Sequence, residues 1–497
     1  MVGSAVDTQA GRVEGTSHDG YERFLGISYA APPVGELRFR GPQPPVPIDG
    51  VHLAHTMPPH APQLPSPLED ALGEGVPMTI SEGGCLALNV WTPRVDAAAR
   101  PVMVFLHGGA FVWGSCSAPM YDGARLASDH DVVVVSLNYR LGALGFSYCG
   151  AVGGADFAGS GSLGVLDAVA ALRWVAANVS NFGGDPTNVT VFGESAGAMS
   201  IGTLLALPDA RGLFHKAILQ SGAASTVGTK DEAAAHFEEL CELLGTSHDV
   251  EGVQAQPVER LLGAQSTLLA RHERALVYRP IVDGVVLDRP PLEAVASGAS
   301  SDVSLLIGSN LDEWRLFSTF DPAFAQQDDD AVRTEIARLC PGDPDVVAAT
   351  YRKRLGDAPA TRVLESVLTD ATFRDPAIQL AEAQVAAGGD AWMYLFRWTS
   401  PTLGGVLGSC HGLELPFVFN TLDAKSSQLF TGEGPPGDLA RDVSATWAAF
   451  ARHGDPGLGS LGAWPRYDTR RRATMVLDRG SMVEDDPLRE ERVLWQR

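Results

Sequence analysis

The chain is poor in the residues that carry metal, redox and nucleic-acid chemistry. Its six cysteines, Cys85, Cys116, Cys149, Cys241, Cys340 and Cys410, are scattered over 497 residues. No Cys-x-x-Cys pair occurs, which removes the sequence signatures of a zinc ribbon or a thioredoxin-type dithiol; the cysteines read as reduced thiols. Cations are scarce too. Against 60 Asp and Glu stand 37 Lys and Arg, a net charge of −23 at pH 7, and a field of that sign repels phosphate backbones and anionic membrane surfaces. Neither nucleic acid nor a membrane is an expected partner. No apolar run approaches the ~20 residues of a bilayer-spanning helix, and Met1 to Gln9 carry neither the basic nor the apolar region of a signal peptide, so a cytoplasmic location is expected. Internal repeats and low-complexity tracts are missing as well. What is present is an ordinary globular composition, 45% hydrophobic and 20% charged, with enough apolar surface for a large core.

One short stretch stands out from this background. Gly193-Glu194-Ser195-Ala196-Gly197 follows the strand-like Val189-Thr190-Val191-Phe192 and opens onto the small, helix-compatible Ala196-Gly197-Ala198-Met199-Ser200. A serine on a sharp strand-to-helix turn sits in strained backbone, so the positions two before and two after it must be nearly free of side chain. Gly193 and Gly197 meet that need, and the turn sets Ser195 at a helix N-terminus, which favours developing negative charge. A serine hydroxyl is a weak nucleophile at neutral pH, so the chain must also supply a histidine base and a carboxylate to orient it. In α/β-hydrolases these follow the serine in the order acid, then histidine. The strand-like Val303 to Gly308 runs into Ser309-Asn310-Leu311-Asp312-Glu313, where Glu313 or Asp312 is the natural acid, and beyond it only His411 and His453 remain. His453 precedes Gly454 in the pattern of a helix C-terminus, where histidine serves as a cap. His411 follows the flexible Gly404-Gly405-Val406-Leu407-Gly408-Ser409 and is presented by a loop, so it is the expected base. Cys410 beside it has no base distinct from His411 and reads as a packing residue.

A tetrahedral intermediate places charge on oxygen, so backbone donors must face it in advance. His107-Gly108-Gly109-Ala110-Phe111 follows the buried-strand run Val102 to Leu106 and has the form of the His-Gly-Gly loop that hydrolases place after their third strand. The N–H groups of Gly109, Ala110 and Ala196 are assigned as the oxyanion donors. Two other patterns carry less. Gly159-Ser160-Gly161-Ser162-Leu163-Gly164 fits a dinucleotide fingerprint but lacks the preceding strand that fingerprint needs. His52, His55 and His60 sit in a proline-rich loop with no carboxylates close in sequence to support a metal. Neither cofactor nor metal is expected.

Strand-like runs at Leu88 to Trp91, Val102 to Leu106, Val132 to Leu137, Val189 to Phe192, Lys216 to Leu219, Val303 to Ile307 and Trp392 to Phe396 alternate with helical patterns, which predicts an α/β fold with a central, mostly parallel twisted sheet flanked by helices. The clearest helix is Leu163 to Val179, with Leu166, Val169, Ala170 and Trp174 on one apolar face. Because the candidate site spans Ser195 to His411, residues 1–497 are expected to form a single unit. Pro58 to Pro77 reads as a surface loop at the mouth of an active-site gorge, and Asp321 to Lys353 as a helical insertion shaping access.

Together these segments resemble the type B carboxylesterases, the cholinesterase-like branch of the α/β-hydrolases, in particular the bacterial para-nitrobenzyl esterase group. Gly26-Ile27-Ser28-Tyr29-Ala30-Ala31-Pro32-Pro33-Val34-Gly35, Leu37-Arg38-Phe39, Leu88-Asn89-Val90-Trp91-Thr92-Pro93, Asn138-Tyr139-Arg140-Leu141-Gly142 and the run from Asn181 to the Ser195 turn are all similar to the family pattern. The resemblance implies the α/β-hydrolase fold with helical insertions forming a gorge, and a catalytic set of Ser195, Glu313 and His411. It further implies a substrate pocket that includes Phe111 and Phe317, the latter where the family places an aromatic near the acyl group. The implied activity is hydrolysis of short to medium acyl or aryl carboxylic esters through an acyl-enzyme, on a small-molecule substrate, by a monomer or small homo-oligomer. Amide or carbamate hydrolysis by the same residues, and a non-catalytic cholinesterase-like binding protein, are the alternatives. Two departures matter. Trp314 replaces the family's glycine after the acid, which bears on the pocket wall, and no cysteine precedes Cys85 to make the first disulfide of secreted relatives. If Phe317 lines the acyl pocket, Phe317→Ala changes the rate ranking among para-nitrophenyl acetate, butyrate and octanoate; an unchanged ranking removes it from the pocket.

Overall fold

Runs of Val, Ile, Leu and Phe in the middle of the chain become strands buried on both faces, the burial pattern of a parallel sheet covered by helices on either side. A computed structural model describes residues 2–66, 78–247, 249–272 and 276–496. The strands are β1 (Val2–Thr8), β2 (Gly11–His18), β3 (Tyr21–Ser28), β4 (Val51–Leu53), β5 (Ala87–Thr92), β6 (Arg100–Leu106), β7 (Val133–Leu137), β8 (Gly184–Glu194), β9 (Lys216–Gln220), β10 (Gly228–Thr229), β11 (Ile281–Val282), β12 (Ser304–Asn310), β13 (Ala391–Phe396), β14 (Ala473–Leu477) and β15 (Met482–Asp485). All but β10 and β11 join one 13-stranded sheet in the order β1-β2-β3-β5-β7-β6-β8-β9-β12-β13-β14-β15, with β4 beside β2. From β7 to β14 every neighbour is parallel. β1, β2 and β3 at one side and β15 at the other add antiparallel edges, β4 lies parallel to β2, and the buried β5 joins the first edge to β7 in antiparallel pairing. The sheet is therefore mixed: six of the seven expected strands lie in its parallel part, whereas the one at Leu88 to Trp91 is β5, antiparallel to both β3 and β7. The antiparallel edges escape a search for apolar runs because their residues are largely half-exposed and polar, as in Gly11–His18.

Register puts the candidate residues at one edge. Leu106 pairs with Gly193, Glu194 with Gln220, Gln220 with Gly308, and Asn310 with Phe396. The segments that follow β6, β8, β9, β12 and β13 all leave from the carboxyl edge of the parallel strands, where open α/β sheets place their sites.

The flanking helices include α1 (Leu163–Asn178), α2 (Ala196–Leu204), α3 (Asp329–Leu339), α4 (Pro344–Leu355), α5 (Ala360–Thr369), α6 (Asp375–Ala386), α7 (Gly437–His453) and α8 (Arg489–Val493). Strand alternation feeds two cores: Ala391 and Met393 of β13 join Ala377 and Leu380 of α6, whereas Trp392, Tyr394 and Phe396 join Val443, Trp447 and Phe450 of α7. The expected face of α1 needs correction. Leu166 and Ala170 are only half-buried, while Val165, Ala168, Leu172, Val175 and even Asp167 are buried; the outward stripe at residues 166, 170, 173 and 177 is itself Leu, Ala, Arg and Ala, so its polarity differs little from that of the inward face. The helical stretch Ala155–Phe182 is in fact long and apolar enough to span a bilayer, but 72% of its most apolar window is buried inside the protein.

Helical structure in the expected insertion runs past residue 353. Phe324, Val332, Ile336, Val347, Tyr351, Val363 and Val367 form a separate small core that also holds Trp495. Of the expected gorge-mouth loop, residues 67–77 lie outside the described residues, and the described part is not a surface loop throughout. Pro58, Ala61, Pro62 and Gln63 are buried, and the Gln63 amide both donates to Gly114 O (2.8 Å) and accepts from Gly114 N (2.9 Å), bracing the loop after β6.

Under the β7 end, Arg140 and Asp167 make a fully buried pair, with Nε to Oδ2 at 2.8 Å and Nη2 to Oδ1 at 2.6 Å. Asp167 also accepts the Arg140 N–H. Removing one partner strands a buried charge, so Asp167→Ala is expected to cost about 3–5 kcal/mol, read as a lowered midpoint in denaturant unfolding.

Candidate active site

Ser195 stands between β8 and α2 with φ 54° and ψ −124°, a strained conformation for a side-chain-bearing residue. The crowding that sets the turn is explicit in the glycines. A Cβ on Gly197 would lie 2.0 Å from Leu106 O, and one on Gly193 2.7 Å from the same oxygen. The end of β6 thus lies against the serine turn. A Cβ on Gly108 would come within 3.0 Å of Ser195 Cβ and 2.6 Å of Glu194 Oε2, which places the His107–Ala110 loop beside Ser195. Gly109 (φ 112°) and Ala110 (φ 52°) turn the loop back on itself, closed by bonds from the Val112 and Trp113 N–H groups to Gly109 O. Among the described residues the N–H groups of Gly109 and Ala110 have no protein acceptor. Ala196 is the first residue of α2, so its N–H has no intrahelical acceptor either.

Glu313 and His411 come from two segments laced together. Asp312 N donates to Ser409 O (2.9 Å) and His411 N to Glu313 O (3.3 Å). Asp312 Oδ2 accepts from Ser409 N (3.0 Å), and Asn310 Nδ2 donates to Cys410 O (2.7 Å). Gly408 has φ 59°, which favours glycine, and a Cβ there would press on the Arg315 and Asp312 side chains, with Asp312 Oδ2 at 2.5 Å. The result is a fully buried Glu313 whose Oε2 lies 2.7 Å from His411 Nδ1, while its Oε1 accepts from Ser221 Oγ (2.5 Å) and Asn310 N (2.7 Å). Of the two acids left open by the sequence pattern, Glu313 is the one on the imidazole; Asp312 fastens the strap.

The other ring nitrogen does not face Ser195 Oγ in a hydrogen bond. His411 Nε2 is 3.0 Å from Glu194 Oε1, yet that oxygen has no hydrogen-bond partner. The contact is a charge pair at the right distance but out of line. Serine–histidine hydrogen bonds are often long before substrate binds. Burial is the largest influence on His411 and lowers its proton affinity, but Glu194 and Glu313 together outweigh it and hold the imidazole well above its ordinary value. Glu414 lies beneath, accepting from Gln220 Nε2 (3.0 Å) and Asn310 Nδ2 (2.6 Å). Burial first, then Glu194 and Glu313, push it up to about 7. His107 is pushed by burial down to about 4, so it stays neutral behind the loop, stacked on Tyr139.

The aromatic residues divide. Phe317 is 40% exposed, with its ring 5.2 Å from the His411 ring. Phe111 is fully buried, edge-on to Phe146 at 5.1 Å, on a backbone of positive φ (64°). Cys410 is buried and its thiol is raised well above the ordinary value, by burial first, so it is no thiolate nucleophile. The decoy glycines 159–164 form a short 3-10 turn leading into α1.

Residues 3–495 match the family model described as the carboxylesterase family. The chain belongs to the carboxylesterase family. Hydrolysis of carboxylic esters is accordingly its class of activity, on the α/β-hydrolase fold. It is similar to the para-nitrobenzyl esterase of Bacillus subtilis (strain 168), at 39% identity over 99% of this chain and 98% of that protein. It is also similar to the phenmedipham hydrolase of Pseudarthrobacter oxydans, at 36% identity over 98% of this chain and 97% of that one. A solved Geobacillus stearothermophilus carboxylesterase superposes with a TM-score of 0.90 at 40% identity, covering 99% of this chain and 100% of the other.

Several residues of the site were not singled out by sequence: Glu194, Ser221, Glu414 and Phe373, whose ring lies 4.7 Å from that of His411. Glu194 was in plain view inside the serine motif, but nothing local says that its carboxylate turns toward a histidine more than 200 positions away. A base must be neutral to accept a proton, and Glu194 favours the protonated imidazole. In Glu194→Gln that support is gone, so the acidic limb of kcat/KM is expected to move to lower pH by ~1 unit or more. A limb at the wild-type pH would show that Glu194 does not act on His411.

Proposed function

We propose that the chain is a serine carboxylesterase that works through an acyl-enzyme. His411 takes the proton of Ser195, whose Oγ attacks the ester carbonyl; the N–H groups of Gly109, Ala110 and Ala196 receive the oxyanion; Glu313 holds the imidazolium; the alcohol leaves with the proton from His411. Water activated by His411 then releases the acid and restores Ser195. The observation that carries this reading is the buried Glu313–His411 pair at 2.7 Å, set beside a serine on a strained elbow that the Gly108 loop flanks. His411 Nε2 must leave Glu194 and line up with Ser195 Oγ as substrate arrives.

In this proposal the substrates are small esters with short to medium acyl or aryl groups, and neither cofactor nor metal takes part. The reading extends to a cytoplasmic enzyme of bacterial type, a monomer or small homo-oligomer with no nucleic-acid or membrane partner. The net charge of −23 supports the absence of nucleic-acid and anionic membrane partners, and the 39% identity to a Bacillus protein supports the bacterial type. Ser195→Ala is expected to stay folded and to lose on the order of 10⁴-fold or more of turnover, since only binding and the oxyanion donors remain. Hydrolysis of para-nitrophenyl acetate, butyrate and octanoate by both proteins checks this, and matched anilides decide between ester and amide preference. A folded wild type inert toward all of them would favour the non-catalytic alternative.

A further inference from the structure

Between α5 and α6 the helix loosens into a single π turn, Asp370–Arg374. Such turns are rare and gather at functional sites, where the extra residue redirects a side chain. The redirected ring here is Phe373, buried, with its centroid 4.7 Å from that of His411 at an interplanar angle of 36°. Phe317 approaches the same imidazole at 5.2 Å and stacks on Phe373 at 6.5 Å. At the N-terminal side of the turn, Thr369 Oγ1 accepts the N–H of Trp314, the residue after Glu313.

A buried polar cluster holds the turn from its other side. Asp370 accepts from Arg374 Nε and Nη2, both at 2.6 Å, and from Tyr351 OH at 2.5 Å. Tyr351 OH accepts in turn from Trp495 Nε1 at 3.0 Å. Glu491 Oε2 lies 3.7 Å from Arg374 Nη2, and its Oε1 accepts from Arg354 Nε at 2.7 Å. The last turn of the described chain, α8 and Trp495, is therefore built into the support of the π turn, more than 100 residues downstream of it.

We propose that the π turn is a positioning element for the base: Phe373, held by Asp370, Arg374, Tyr351 and the C-terminal Trp495, packs on the His411 imidazole and fixes its orientation and proton affinity. The inference rests on the reading of His411 as base. An aromatic ring within about 6 Å of a cation attracts it through the ring quadrupole, so Phe373 favours the imidazolium that forms when Ser195 gives up its proton. The charged groups that face the imidazole are Glu313 at Nδ1 and Glu194 at Nε2, with Glu414 of its own turn beyond them. On the π-turn side the charges of Asp370 and Arg374 are paired with each other, and the ring of Phe373 is what meets the imidazole. Phe373 thus adjusts the imidazole without a charge of its own.

Phe373→Leu keeps the apolar volume and removes the ring. With para-nitrophenyl acetate its kcat is expected to fall roughly 3- to 10-fold with KM nearly unchanged, the signature of lost transition-state support. Its acidic limb is expected to move to lower pH by about half a unit to one unit. Phe373→Tyr, which keeps the ring face, is expected to recover both. Trp495→Phe, which removes the donor to Tyr351 together with part of the ring in the small core, is expected to change kcat in the same sense and less. A folded Phe373→Leu with the wild-type kcat and limb, or with an effect confined to KM, overturns the proposal; a wild-type Trp495→Phe overturns the reach to the chain's end. If Phe373→Leu does not fold, Phe373→Tyr and Trp495→Phe decide. Loss of the esterase reading itself would look different: wild-type activity that survives Ser195→Ala.

Discussion

The backbone of β6 and the first turn of α2 touch with no side chain between them, and the arrangement of the site depends on that contact. Leu106 O lies where a Cβ on either Gly193 or Gly197 would stand. Because β6 ends there and the His107–Ala110 loop begins one residue later, the same contact fixes the distance between that loop and Ser195. Any side chain at those glycines would force apart two strand ends paired in parallel register at Leu106 and Gly193. Strain at Ser195 is tolerated because the surrounding sheet over-determines it: its N–H donates to Gln220 O, and its carbonyl accepts from Met199 N.

What could be read from the sequence was what local sterics demand. A serine flanked by small residues between a strand and a helix, a glycine pair after a buried strand, and an acid after a late strand each state their geometry within a few residues. Chain order then left His411 as the histidine in a loop. The core strands were legible for a related reason, since strands buried on both faces are unbroken apolar runs. The antiparallel edge strands were not, because half-exposed residues carry no such run. The face of α1 was misjudged because its outward stripe carries Leu166, Ala170 and Ala177 and so does not stand out as polar, and the buried Asp167 is explained only by Arg140, which lies on another segment.

Within the site, long-range partners were the illegible part. Ser221 reaches Glu313 across 92 positions and Gln220 reaches Glu414 across 194, and such pairs leave no spacing rule to search for. Phe111, next to a legible motif, packs edge-on against Phe146, a neighbour 35 positions away that no spacing rule announces. The acidic groups Glu194, Glu313 and Glu414 crowd one imidazole, and the chain neutralises this only in part, with amide donors from Asn310 and Gln220 instead of a cation.

The lacing of Asp312 and Glu313 to Ser409 and His411 has a mechanical meaning. Four hydrogen bonds tie the Asp312–Glu313 segment to the Ser409–His411 segment, and the Ser221 hydroxyl on Glu313 joins both to the end of β9, whose Gln220 carbonyl holds the Ser195 N–H. The distance between Glu313 and His411 is therefore set by backbone bonds from two segments at once, whereas among the described residues no hydrogen bond joins His411 to Ser195 Oγ. In the proposed mechanism the proton crosses that second distance, which is left for the arriving substrate to set.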